Sequence, residues 1–132
     1  MDYNGRVVAF VLSVSKGSDL WTASLHGEPA TRPYLVNGFN LGHPALSPDG
    51  RWLAYESNET GRTEVFLRPF PATDSGKWQV SNGSGVAPLW ARNGRELFYV
   101  TASVLSPGNK TYQQDAYEFI GRVVHATLPA AV

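Results

Sequence analysis

Three imidazoles in this sequence could bind a metal or move a proton near neutral pH: His26, His43 and His125. No two of them lie four apart, so no pair can share an ion on one helix face in the manner of a local zinc motif. Cysteine is absent, which removes thiolate ligands, thiol nucleophiles and disulfides together and leaves stability to packing. No Gly-x-Ser-x-Gly elbow occurs, so the usual α/β-hydrolase nucleophile is missing. The run Ser81-Asn82-Gly83-Ser84-Gly85 is rich in glycine, but no helix pattern follows whose N-terminus could hold a phosphate. Whatever chemistry the chain performs must come from polar groups that the fold collects from separate segments.

Internal repetition shows how they are collected. Asn4-Gly5-Arg6-Val7-Val8-Ala9-Phe10 returns as Asp49-Gly50-Arg51-Trp52-Leu53-Ala54-Tyr55, then as Asn93-Gly94-Arg95-Glu96-Leu97-Phe98-Tyr99, at steps of 45 and 44 residues. At the same offsets Leu20-Trp21 matches Val65-Phe66, Asn37-Gly38 matches Asn82-Gly83, and Pro44 matches Pro88. A period of this length made of short strands is the spacing of one four-stranded propeller blade. Asp49-Gly50 and Asn93-Gly94 read as two-residue hairpins of type I′, which need positive φ at both central positions. The strands around them are 43–46 and 51–57, then 86–90 and 95–101; an outer pair, 64–70 and 77–81, flanks the turn-rich 71–76. The first repeat offers strands only at 6–14, 19–25 and 32–36, so it is expected to lack its innermost strand.

The chain thus reads as all-β, with about two to three propeller blades in one domain: a partial blade over 1–37, a full blade over 38–82, and a divergent blade with a C-terminal segment over 83–132. Ser47-Pro48-Asp49-Gly50-Arg51-Trp52-Leu53-Ala54-Tyr55 resembles the TolB-like propeller repeat, a Ser-Pro-Asp-Gly turn followed by an apolar strand ending in an aromatic. Trp90 to Tyr99 looks like a drifted copy, and the resemblance covers about residues 4–101. Glu64-Val65-Phe66-Leu67-Arg68-Pro69-Phe70-Pro71, followed by Gly76-Lys77-Trp78-Gln79-Val80-Ser81, is most similar to the propeller tails of some bacterial serine/threonine kinases. Neither a Gly-rich phosphate loop nor a His-Arg-Asp catalytic loop is present, so the resemblance implies the propeller without the kinase.

Past Thr101 the repeat fades. Ala116, Phe119, Ile120, Val123, Val124 and Leu128 keep helical spacing, Thr111 and Gln114 have capping-box spacing, and Pro129 ends the run. The spacing predicts a helix over 112–127, whereas the family resemblance implies outer blade strands there, with 121–126 able to serve as one.

Eleven basic residues balance eleven acidic ones, so no global field draws the chain to nucleic acid or to an anionic membrane. Neither is expected as a partner. The apolar run 7–14 is too short to span a bilayer and lacks an export cleavage site, which reads as a cytoplasmic chain as encoded.

Within this architecture the expected ligand contacts are Asn40, His43, Glu59, Arg62, Asn82 and Ser84. The 58–62 hairpin and the inter-blade segments 37–42 and 82–85 fall at one end of the blades, around the mouth of a central channel. His43 opens an innermost strand, and symmetric copies would gather His43 around one axis, where it could ligate a divalent metal; the plainer reading is a turn histidine bonded to backbone. His26 and His125 read as surface groups. Trp21, Trp52, Trp78 and Trp90 read as blade-packing residues rather than a stacking platform, because successive repeats carry large apolar groups at equivalent places. The expected function is a binding or assembly module; the alternative is a metal-assisted hydrolase of esters or phosphoesters, with the metal as its cofactor and its site formed between copies. Exposed blade edges point to self-association, most simply a dimer closing the propeller.

Overall fold

The computed structural model describes residues 2–3, 6–14, 17–28, 30–102 and 121–127. They form three antiparallel sheets, each built from strands consecutive along the chain. The first contains β1 (Asp2–Tyr3), β2 (Val7–Val14), β3 (Gly17–Ser24) and β4 (Ala30–Leu35), in that order. The second contains β5 (Leu41–Leu46), β6 (Trp52–Ser57), β7 (Glu64–Pro69) and β8 (Trp78–Gln79). The third contains β9 (Val86–Trp90), β10 (Glu96–Ala102) and β11 (Gly121–Thr127). A 3-10 turn, Thr73–Ser75, lies between β7 and β8. The leading strand β5 lies against both β1 and β9, so the first strands of successive sheets converge as the inner strands of neighbouring propeller blades do.

Side-chain alternation explains how the blades stack. Along β6 and β7, Trp52, Ala54, Val65 and Leu67 enter one core cluster with Leu97 and Tyr99 of the third blade. Leu53, Tyr55 and Phe66 point the other way and join Ala9, Leu20, Tyr34 and Leu35 of the first blade. Period-two alternation sends neighbours to opposite faces, and here both faces meet another blade, so the middle strands are apolar almost throughout. The first and third blades contribute one face each to these clusters.

The Ser-Pro-Asp-Gly turn is closed by its own side chains. Gly50 N–H donates to Ser47 O at 2.9 Å, Ser47 Oγ–H to Asp49 Oδ1 at 2.7 Å, and Trp52 N–H to Ser47 Oγ at 3.0 Å. Asp49 Oδ1 also accepts Arg51 N–H at 3.0 Å. Only the glycine takes positive φ, 75° at Gly50 and 70° at Gly94. The expected type I′ geometry is therefore replaced by a tight turn with one left-handed glycine at its end. Proline at the second position holds φ near −65° and cannot supply the positive angle that type I′ demands. The drifted copy keeps the frame: Gly94 N–H donates to Ala91 O and Arg95 N–H to Asn93 Oδ1.

Two expectations at the ends are corrected. A two-residue strand, β1, occupies the innermost place of the first blade and pairs with β2, Asp2 opposite Ala9; so short a strand leaves no periodicity to read. Residues 121–127 are strand, paired with β10 from Gly121 opposite Ala102 to Thr127 opposite Glu96, and not the C-terminal part of a helix. The apolar Val123-Val124 pair fits helix and strand alike, and the ladder offered by the edge of β10 decides between them. The rest of the expected helix, 112–120, lies outside the described residues.

Candidate functional site

The blades expose two ends. The β2–β3 and β6–β7 hairpins and the inter-blade connections lie at one end; the Ser47–Gly50 and Ala91–Gly94 turns and the β3–β4 and β7–β8 loops lie at the other. All six expected contacts fall in or beside the first end, but they do not form one cluster.

His43 sits where β5 slips register, between the pairs Gly42 with Glu56 and Ala45 with Ala54, and adopts φ 44°. Ala87, its repeat equivalent in β9, adopts φ 53° beside a matching slip between Phe98 and Val100. Left-handed backbone is unusual for a residue with a side chain, and two equivalent inner strands repeat it. Glu56 ties the two bulges together: its Oε2 lies 2.8 Å from His43 Nδ1 and accepts Ala87 N–H at 2.6 Å. The His43 side chain is 68% exposed while that of Glu56 is 12% exposed. A half-buried carboxylate thus fixes one nitrogen of an imidazole whose remainder faces solvent, an arrangement suited to hydrogen bonding, proton transfer or metal ligation through Nε2. Among the described residues, no group of three histidine, aspartate or glutamate side chains is placed to hold a metal ion. His43 and Glu56 alone supply two donors.

Asn40 is exposed, bridges to Ser18 and donates its N–H to Asn58 Oδ1 at 2.8 Å. The hairpin carrying Ser18 comes close here because Gly17 has no side chain: a Cβ at Gly17 would lie 2.7 Å from Phe39 O. Arg62 donates from Nη1 to Gly83 O at 2.7 Å, which brings it beside Asn82 and Ser84. That loop is held from below by buried Glu64, which accepts Ser81 Oγ–H at 2.6 Å and Gly83 N–H at 2.9 Å. Glu59 belongs to neither grouping. Its Oε2 lies 2.6 Å from Lys77 Nζ and its Oε1 is buried with no partner among the described residues. His26 is exposed, and His125 lies on β11.

Glu56 carries no motif signal, and Glu64, whose place beside a connection suggests a solvated carboxylate, is buried instead. Each is an acidic residue at one end of an apolar strand run, Trp52–Ser57 or Glu64–Pro69, and that break in pattern is the only signal either gives. Two clefts between the first and second blades, of about 510 and 470 Å³, were equally unreadable. They share Val7 and Phe70, take in Arg32 and Tyr34 on one side and Asp49 on the other, and lie at the end opposite His43. None of the six expected contacts lines them. No helix among the described residues is long and apolar enough to cross a membrane.

No protein-family model and no curated protein sequence matches the chain. Solved structures do. A putative TolB from Agrobacterium tumefaciens superposes with TM-score 0.66 at 15% identity, over 80% of this chain and 39% of that one. TolB from Acinetobacter baumannii gives 0.63 at 22% identity, over 74% and 25%. The β-propeller domain of the trilobed protease from Pyrococcus furiosus gives 0.52 at 18% identity, over 75% and 32%. The chain spans well under half the length of each. At these identities the likeness speaks for architecture, and with the blade-by-blade stacking it establishes that this chain has the fold of TolB-like β-propeller blades.

Proposed function

We propose that the chain is a binding module that takes a protein segment or small ligand at the end of the blades bearing Asn40, His43, Arg62, Asn82 and Ser84, with further copies of itself completing the ring. The observation that carries this reading is the bulge at His43. A strained backbone, repeated at Ala87 and pinned by Glu56, presents an imidazole on an inner strand, and such strain is held where a surrounding structure over-determines it. Arg62 and the Ser81–Gly85 loop add a cationic group and backbone polar groups at the same end. An NMR fragment screen on the isotopically labelled chain tests the reading. Shifts should gather at His43, Arg62 and Gly83 and be lost in His43→Ala, whereas shifts gathered at Arg32 and Phe70 in the opposite clefts would overturn it.

The His43–Glu56 contact also favours a second reading, a metal-assisted hydrolase in which His43 from several copies holds a divalent ion. That reading predicts stoichiometric metal after exhaustive dialysis and nitrophenyl-ester cleavage that disappears in His43→Ala. Metal-free protein without esterase activity leaves the binding module.

A further inference from the structure

We infer that the chain self-associates head to tail: the outward face of the first blade in one copy seats on the outward face of the third blade in the next, and two copies close a ring. This deepens the assembly part of the reading above and rests on it.

The first blade's outward face is identified by alternation. Ala9 and Leu20 enter the core between blades, so Val8, Phe10, Leu12, Val14 and Trp21 belong to the opposite side, with Phe10 paired to Trp21 across the ladder. Val8, Phe10 and Trp21 stand 45 residues before Leu53, Tyr55 and Phe66. Those three are 0%, 0% and 2% exposed where the first blade covers them, and Tyr55 stacks on Phe66 at 5.9 Å. In the first blade the same three positions are half-buried, and Leu12 and Val14 beside them are 42% and 43% exposed. Trp21 Nε1–H has no acceptor among the described residues. This face is built like one that the chain already stacks against a blade, and it ends in exposed apolar side chains.

The third blade presents the complement. Leu97, Tyr99 and Trp90 pack towards the second blade, which sends Leu89 and Val100 to the far side. Leu89 is 67% exposed, the most exposed large apolar side chain among the described residues. An apolar side chain left this exposed on a blade face fits an interaction site. The occupant is a second copy because each face continues an interface repeated inside the chain at the same period: first blade on second, second on third, third on the next copy's first. Two different faces in contact make a heterologous interface, which closes when the rotation returns to the start.

The whole chain is tested by light scattering and sedimentation, with Leu12→Arg and Leu89→Arg made singly. Both positions are solvent-exposed within one copy, so each variant keeps its own blade-to-blade core, checked by thermal melting. The expected result is a two-chain particle for the parent sequence and half that mass for each variant. Mixing the two variants should restore a two-chain particle, because one contact then joins two unaltered faces. A single-chain parent overturns the assembly, leaving the His43-end binding reading to its own NMR test. Variants that keep the two-chain mass overturn these surfaces while leaving assembly intact, and variants that separate but fail to rejoin on mixing overturn the head-to-tail arrangement.

Discussion

Ser47 Oγ donates to Asp49 and accepts from Trp52 N–H, so it joins the turn to the strand that follows while having no exposure of its own. Ser47→Ala leaves a buried backbone donor unsatisfied and is expected to cost about 1–3 kcal/mol, read as a lower urea midpoint at unchanged slope. Burial pushes the Asp49 carboxyl up, but hydrogen bonds from Ser47 and Arg51 N–H and the Arg51 charge outweigh it and hold the group below its ordinary range. A carboxyl lowered in the folded state contributes stability above its unfolded range, near pH 4, and loses it as pH falls further. Urea midpoints of the parent and of Asp49→Asn should therefore converge in acid; a gap that stays constant from pH 7 down to pH 3 would contradict this. At the inner strands, Glu56→Ala strips Ala87 N–H of its acceptor and is expected to cost about 1–3 kcal/mol. His43→Ala, at an exposed position, should stay within about 0.5 kcal/mol in the same denaturation assay.

Among the elements, β4 is fastened to the second blade through Tyr34, whose hydroxyl donates to Pro69 O at 2.7 Å while its carbonyl accepts from Thr73 Oγ1 at 3.1 Å. Burial, reinforced by neighbouring Tyr55, raises the Tyr34 hydroxyl above its usual value; burial pushes Tyr55 up to about 12 against the opposing pull of Arg68, and burial and Glu64 raise Tyr99. Tyrosines raised in the folded state favour folding fully below about pH 10 and stop doing so as pH climbs through their folded values. Absorbance titration should show Tyr34, Tyr55 and Tyr99 ionising late, with unfolding setting in near pH 12. Ionisation of Tyr34 and Tyr55 near pH 10 in the folded chain would refute the packing of β4 and β6 described above. These elements were legible to different degrees. The β5–β6 and β9–β10 hairpins announced themselves through Asp49-Gly50 and Asn93-Gly94, because only a turn explains such residues between apolar runs. β11 did not, since a segment rich in valine takes its identity from the strand edge beside it. The His43 bulge was invisible for a related reason: its partner Glu56 is 13 positions away and is chosen by register, which local spacing does not encode.

For the molecule as a whole, two core clusters meet back to back in the second blade, so the three blades should melt as one unit. Leu20→Ala in the first cluster and Leu97→Ala in the second each remove a side chain 1% exposed, at an expected 2–5 kcal/mol apiece. Because these leucines belong to different clusters, their combined effect should equal the sum to within about 0.5 kcal/mol. Two separate transitions in calorimetry would instead mean that the blades unfold independently. The equivalence of Leu53 and Tyr55 with Leu97 and Tyr99 reaches further than stability. Where every joint between modules uses the same fitting, an extra 44- or 45-residue copy spliced in after Val80 has a seat waiting on either side. Duplication or loss of a module can then change the circumference of the finished wheel, and the width of its hub, without any existing joint being redesigned.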